Sequence, residues 1–268
     1  MQNPRRSAAA RLLGGLRVAG RFAGAAPFTL GCYLVIVGGR LALSGRPRRA
    51  DAWGHRVASW WARRLGRLFG MRAEVVGTPP PSPFLLVANH LSYMDVLLLL
   101  GAAGGSFVAK REIASWPVIG HLCRLIGVVF IDREARRDVR RAADQMTAGL
   151  AAGRGVFVFP EGTTGDGTAL LPFRSSLLEV AAAGALPVHW ATLRYTTAEG
   201  LPDASEVVCW TGGAELKPHV LRLFSLPGFR ARVAFGAEPL ADDDRKRLTA
   251  RLREAMAADL AAAGRETA

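Results

Sequence analysis

The chain has 268 residues, half of them hydrophobic, and a mean hydropathy of +0.17. That is enough for one large core, or for one domain with an appendage, and too little apolar content for a polytopic membrane protein. Thirty-five Lys and Arg against 22 Asp and Glu give a formal charge of +13; this calls for an anionic partner, and an anionic bilayer surface fits better than nucleic acid, because no zinc-finger spacing, RNP signature or basic zipper is present.

Five arginines (Arg5, Arg6, Arg11, Arg17, Arg21) precede an uncharged run of 18 residues, 22–39, and Arg40, Arg46, Arg48 and Arg49 follow it. As a helix the run reaches about 27 Å at ~1.5 Å per residue, short of a hydrocarbon core of ~30 Å. Pro27 and four glycines weaken it further. Arginines stand where a small-residue cleavage site would follow a signal peptide, which argues against removal. With both flanks basic, charge sets no orientation for a single span, whereas a re-entrant hairpin with both ends at the cytoplasmic face satisfies both. Residues 1–50 are therefore expected to form a monotopic anchor with both ends at the cytoplasmic face, and residues 51–268 the main domain. In 51–69, "DAWGHRVASWWARRLGRLF", Trp53, Val57, Trp60 or Trp61, Leu65 and Leu68 or Phe69 recur near helical spacing among Arg56, Arg63, Arg64 and Arg67. Such a helix either lies at a membrane interface or packs its Trp face on the core.

Beyond residue 73, short apolar runs alternate with helical patterns. "AEVV", "PFLLVA", "SFVA", "VVFI", "VFVF", "LPVHW", "EVVCW" and "RVAF" read as strands. Residues 134–152 and the C-terminal 242–264, which opens on acidic cap candidates, read as helices. The order predicts an α/β fold with a mixed, mostly parallel central sheet flanked by helices. Ligands of such sheets bind beyond the carboxyl ends of strands. Asn89 and His90 follow "FLLVA", Asp132 and Arg133 follow "VVFI", and Pro160, Glu161 and Gly162 follow "VFVF", so three loops are expected to converge.

Within "VANHLSYMDVLLLL" (87–100) a regular helix would point His90 and Asp95 some 140° apart at ~100° per residue. If His90 sits in a loop and a helix starts near Ser92 as its N-cap, Asp95 can turn back to the imidazole, fix its tautomer and leave the other ring nitrogen as a general base. The alternative is a core histidine satisfied by a local aspartate. No GxSxG elbow is present, and Cys32, Cys123 and Cys209 fall in no metal or redox pattern. They read as free thiols, and no metal or cofactor is called for. Gly162 in "EGTT" permits close backbone approach, so that N–H groups there could meet an oxyanion or a phosphate. Lys110, Arg133 and Arg174 are candidates for an anionic head group, and Glu161 is expected to organise its loop by pairing with a nearby base.

"NHLSYMD" resembles the NHxxxxD motif of the glycerolipid acyltransferases, the family of the lysophosphatidate acyltransferases. "GVVFIDR" and "FPEGTT" resemble its second and third blocks, and "AKREIASWPVIG" and "LPVHWATL" are similar too, so the likeness spans roughly 84–192. The resemblance implies an α/β enzyme on the cytoplasmic face of the membrane. It would move an acyl chain from acyl-CoA or acyl-carrier protein to the free hydroxyl of 1-acyl-sn-glycerol-3-phosphate, giving phosphatidic acid, or alternatively to that of a lyso-ornithine or other lysolipid, with His90 as base, Asp95 as its orienter, and Lys110, Arg133, Glu161, Gly162, Thr163 and Arg174 around the substrate. Many members continue the third block with arginine, associated with the substrate phosphate. Thr164 stands there in this chain, as part of a stretch that resembles the bacterial subgroup including lyso-ornithine-lipid acyltransferases.

Overall fold

The computed structural model describes residues 4–132, 136–211 and 213–266. Its elements in chain order are α1 (Pro4–Ala42), α2 (Pro47–Leu68), β1 (Met71–Val76), β2 (Leu85–Ala88), α3 (Met94–Ala102), β3 (Ser106–Lys110), α4 (Ile119–Leu125), β4 (Val129–Ile131), α5 (Arg136–Ala151), β5 (Val156–Val158), α6 (Glu179–Ala183), β6 (Val188–Thr196), α7 (Ala204–Val207), α8 (Leu216–Ser225), β7 (Phe229–Phe235) and α9 (Arg245–Glu266). The strands form one sheet in the order β1-β7-β6-β2-β5-β3-β4. Every pairing is parallel except β6 with β7.

All four residues of β2 are buried, because the strand lies at the centre of the sheet with helices on both faces. Leu86 and Ala88 join the core shared with α2, α3 and α8, while Leu85 and Val87 join the core shared with α5, α6 and α9. Parallel registers place Val87 opposite Val158 and Ala88 opposite Ala191, so β2, β5 and β6 deliver their carboxyl ends to the same edge.

Seven of the eight expected strands are present. The eighth, "EVVCW" at 206–210, is helix α7 and the loop after it. Asp203 caps the turn by accepting from Ser205 N at 2.8 Å, and Val207, Val208 and Cys209 are buried together on the compact turn. Three adjacent apolar residues satisfy a buried turn as well as a strand, and the cap decided. The C-terminal helix starts after Asp244, whose carboxylate accepts from Lys246 N and Arg247 N, each at 2.8 Å, and it runs past Gly264 to Glu266.

The N-terminal segment is one helix of 39 residues that passes through Pro27, in place of a re-entrant hairpin. Proline removes one helical bond, and the helix is clamped on either side of it: Arg21 is buried, and Thr29 Oγ1 accepts from Trp61 Nε1 at 3.0 Å. Residues 9–42 are long and apolar enough to cross a membrane. At ~100° per residue the docked positions Arg21, Ala25, Cys32 and Ile36 fall within about 60° of one another, and Leu12, Leu16, Leu30, Leu34 and Leu41 form a stripe on the opposite side; all five of these leucines are exposed. The tryptophans of α2 divide between the two expected roles. Trp61 is buried and Trp53 donates to Val35 O at 3.2 Å, both against α1, whereas Trp60 is 43 % exposed beside Phe28.

Candidate active site

Asn89 sits one residue past β2, where its buried amide extends the strand ladder. Nδ2 donates to Leu193 O at 3.0 Å and Oδ1 accepts from Leu193 N at 2.7 Å. Its desolvation is thus offset by two backbone bonds, and the chain turns there to present His90.

Asp95 lies in the first turn of α3 and is fully buried. Its Oδ2 accepts from Leu91 N at 2.6 Å, from Ser92 N at 3.0 Å and from His90 Nδ1 at 2.7 Å. The expected N-cap, Ser92, does not cap; its buried hydroxyl has no partner among the described residues, and the carboxylate of Asp95 ties the preceding turn instead. Because two backbone donors orient that carboxylate, its acceptor side faces the imidazole and Nδ1 carries the shared proton. The ring stacks on Phe159 with centroids 4.1 Å apart and planes 14° apart. The side chain is 18 % exposed, so the edge bearing Nε2 is open to an incoming group.

Tyr195 escaped the motif reading. From β6 its hydroxyl donates to Asp95 Oδ1 at 2.5 Å, giving the carboxylate a fourth donor. Burial and the charge of Asp95 hold the phenol protonated, well above its ordinary range. No local signal marks it, since its partner lies 100 residues away; only the adjacency of β2 and β6 brings them together.

Glu161 ties the loop after β2 to its own loop after β5; of the three loops expected to converge, the one after β4 starts three strands from β2, at the edge of the sheet. Oε2 accepts from His90 N at 2.9 Å and Oε1 from Leu171 N at 3.1 Å, so it organises its surroundings through backbone donors where a pairing base was expected. Burial pushes its carboxyl up to about 7, against the pull of those two donors. Two further backbone bonds, Gly165 N to His90 O at 2.8 Å and Trp210 N to Leu91 O at 2.7 Å, fix the segment that carries the imidazole.

Gly162 has φ +72°, and a Cβ on it would meet Arg174 Nε at 3.0 Å. The left-handed backbone favours glycine there, and the exposed Arg174 side chain lies over it. The Gly162 N–H turns back to Phe159 O at 3.2 Å. Thr163 is exposed at the rim. Thr164 is buried, with its hydroxyl donated to Trp210 O. Lys110 is exposed at the carboxyl end of β3, two strands from β2 and so roughly 10 Å away across the sheet. Arg133 lies outside the described residues. The structure thus assembles His90, Asp95, Glu161, Gly162 and Arg174 in one cluster with Tyr195 behind it, and leaves Lys110 at its margin.

Cys32, Cys123 and Cys209 are free and buried. Burial pushes the Cys123 thiol up to about 11 and the Cys209 thiol to about 12, so neither supplies a thiolate near neutral pH.

An imidazole held by a buried carboxylate at the carboxyl edge of a mostly parallel sheet can accept a proton from a nucleophile, as group transfer requires. Comparison with known proteins makes the class specific. A family model described as Acyltransferase matches residues 72–193. A lyso-ornithine lipid O-acyltransferase of Brucella abortus is 33 % identical over 81 % of this chain and 86 % of its own length. A 1-acyl-sn-glycerol-3-phosphate acyltransferase of Neisseria meningitidis is 33 % identical over 69 % and 74 %. The crystal structure of the 1-acyl-sn-glycerophosphate acyltransferase PlsC from Thermotoga maritima shares the fold, with a TM-score of 0.71 over 95 % of this chain and 98 % of that one at 20 % identity. The chain belongs to the acyltransferase family, and within it to the lysolipid acyltransferases.

Proposed function

We propose that the chain transfers an acyl group from acyl-CoA or acyl-carrier protein directly to the free hydroxyl of a lyso-ornithine lipid. His90 Nε2, the ring nitrogen not bonded to Asp95, takes the hydroxyl proton as the oxygen attacks the thioester carbonyl. The imidazolium is stabilised by Asp95. Collapse of the tetrahedral intermediate breaks the carbon–sulfur bond, the ester forms, and the leaving sulfur receives a proton. Direct transfer is favoured because no nucleophilic thiol accompanies the base.

The observation that carries the choice of acceptor is Thr164. It occupies the place where many relatives carry a phosphate-associated arginine, and its hydroxyl is turned inward to Trp210 O. An ornithine head group, carrying an ammonium beside its carboxylate, needs fewer cations than a phosphomonoester, and the name of the Brucella relative agrees. A second reading, lysophosphatidate as acceptor, is favoured by the Arg174 guanidinium over Gly162 and by the Neisseria relative. Equimolar lyso-ornithine lipid and lysophosphatidate, offered with each donor and resolved by mass spectrometry of the products, decide between them. A preference of about tenfold or more for lyso-ornithine lipid is expected, worth ~1.4 kcal/mol; a preference for lysophosphatidate overturns the choice.

The same reading places the enzyme on the cytoplasmic face of the inner membrane, with α1 lying in the membrane surface. One side of α1 is docked on the protein while the leucine stripe opposite is exposed, and three unpaired thiols suit a reducing compartment. Leu30→Glu with Leu34→Glu should move the protein from the membrane fraction to the soluble fraction and spare its activity on micellar lysolipid. Retention in the membrane fraction would contradict this placement.

A further inference from the structure

Away from the His90 cluster, a cleft of about 490 Å³ opens between α2, α3 and β1. Leu97 and Leu98 of α3 and Val75 of β1 supply apolar lining, and Arg63, Arg67 and Arg72 line it as well. Both leucines are buried, whereas Val75 is 46 % exposed on the outer edge strand of the sheet. All three arginines are exposed, and none forms an ion pair among the described residues. No acidic residue lines the cleft. Arg63 is held in place by donating to Gly101 O at 2.8 Å. Arg72 alternates with Val75 along β1 and projects to the other face of the sheet, so the two uncompensated guanidiniums of Arg63 and Arg67 stand beside the apolar wall and match an amphiphile whose head is an anion and whose tail is a hydrocarbon.

The cleft also lies where such a molecule would be found. At ~100° per residue Arg49, Arg56, Trp60, Arg63 and Arg67 fall on one stripe of α2, and all are exposed. Trp60 touches Phe28 of α1, with rings 5.3 Å apart. The helix that lines the cleft is therefore also the bed of α1, and a lipid beside α1 is within about one helix diameter, ~10 Å, of the arginines.

We propose that this cleft is a non-catalytic binding site for an anionic bilayer phospholipid. Its phosphodiester is held by Arg63 and Arg67 and one acyl chain lies along Val75, Leu97 and Leu98. The site would retain the enzyme on anionic membrane independently of the lysolipid acceptor and of the leucine stripe of α1.

The full-length protein is tested by flotation with phosphatidylcholine vesicles and with vesicles carrying roughly a third phosphatidylglycerol, and by native mass spectrometry for a retained phosphatidylglycerol molecule. Arg63→Gln with Arg67→Gln should lower the gain in binding due to phosphatidylglycerol by about tenfold or more, with binding to phosphatidylcholine unchanged. Val75→Glu, at an exposed edge position that does not threaten folding, should abolish the retained lipid. A charge-matched control on the opposite face of the sheet, Arg140→Gln with Lys246→Gln, should change the gain by less than about twofold. Equal losses in the control and the cleft variant would show general charge attraction and overturn the site. Retention of phosphatidylglycerol by Val75→Glu, or its displacement from wild type by free coenzyme A or inorganic phosphate, would also overturn the proposal, because each shows that the hydrocarbon is not recognised.

Discussion

The loops around His90 and the contacts of α1 both bury charge among backbone groups, with opposite sign. At the site, carboxylates collect N–H donors: Asp95 takes those of Leu91 and Ser92, and Glu161 takes those of His90 and Leu171. Along α1, guanidiniums cap the carboxyl ends of other helices, where carbonyls lack helical partners and the dipole is negative. Arg21 donates to Leu68 O at the end of α2 and to Phe224 O near the end of α8, Arg17 to Ser225 O, and Arg40 to Leu125 O at the end of α4. The difference lies in what is left open. The carboxylates leave one imidazole nitrogen at the surface of an otherwise satisfied cluster, so the polar bonds there orient a ring with one open edge. Arg17, Arg21 and Arg40 of α1 are committed to docking, so the N-terminal helix is built into the body of the protein and is not a tether hung from it.

If that contrast holds, changes at the site should cost rate and spare stability. The largest effect is expected for His90→Ala, which should abolish detectable turnover while the thermal transition stays put; a folded variant above a tenth of the wild-type rate would remove the base assignment. Asp95→Asn should cost up to ~10⁴ by misorienting the ring, as in serine-protease triads. Changes along α1 should do the reverse. Arg21→Leu strands carbonyls of two helix ends, and charge-assisted bonds are worth about 1.5–3 kcal/mol each, so the melting temperature should fall by roughly 5–10 °C while activity per folded molecule persists.

Smaller effects sharpen the boundary between the two regions. Tyr195→Phe removes one of the four donors to Asp95 without emptying the core. A roughly tenfold loss in kcat at nearly constant KM is expected, together with movement of the acid limb of the pH–rate profile to higher pH, since a less satisfied carboxylate favours the imidazolium more. A purely structural Tyr195 would lower stability and leave that profile in place. Glu161 should govern a pH effect on stability. Its folded pKa of about 7 exceeds the unfolded value of ~4.3, so the folded state holds the proton more tightly; the resulting stability is complete below ~4.3 and is lost as pH rises through about 7. Glu161→Gln, neutral throughout, should flatten that decline in melting temperature between pH 5 and 8. The smallest effect belongs to Cys32, Cys123 and Cys209. Replacing all three by Ala should leave kcat nearly unchanged, and an acyl-cysteine adduct trapped during turnover would refute direct transfer.

Much of this protein was legible from residues close together in the chain. Apolar runs bounded by turn residues marked seven strands, Asp242 to Asp244 marked the start of α9, and polar pairs just past β2 and β5 marked the carboxyl edge where His90 and Glu161 meet. The His90–Asp95 pair was readable because both members lie within five residues, and one loop-to-helix turn suffices to join them. The tertiary structure alone decided the rest. Tyr195 reaches Asp95 because β6 lies beside β2, and Arg174 covers Gly162 because the chain after β5 folds back. Arg21 meets the ends of α2 and α8 because α1 lies across both, and "EVVCW" became a turn because Asp203 capped it. Local patterns record what a residue's neighbours in sequence permit, namely periodicity, capping and turn geometry. Which distant donor satisfies a buried charge depends on strand order and helix placement, and these emerge only when the whole core closes.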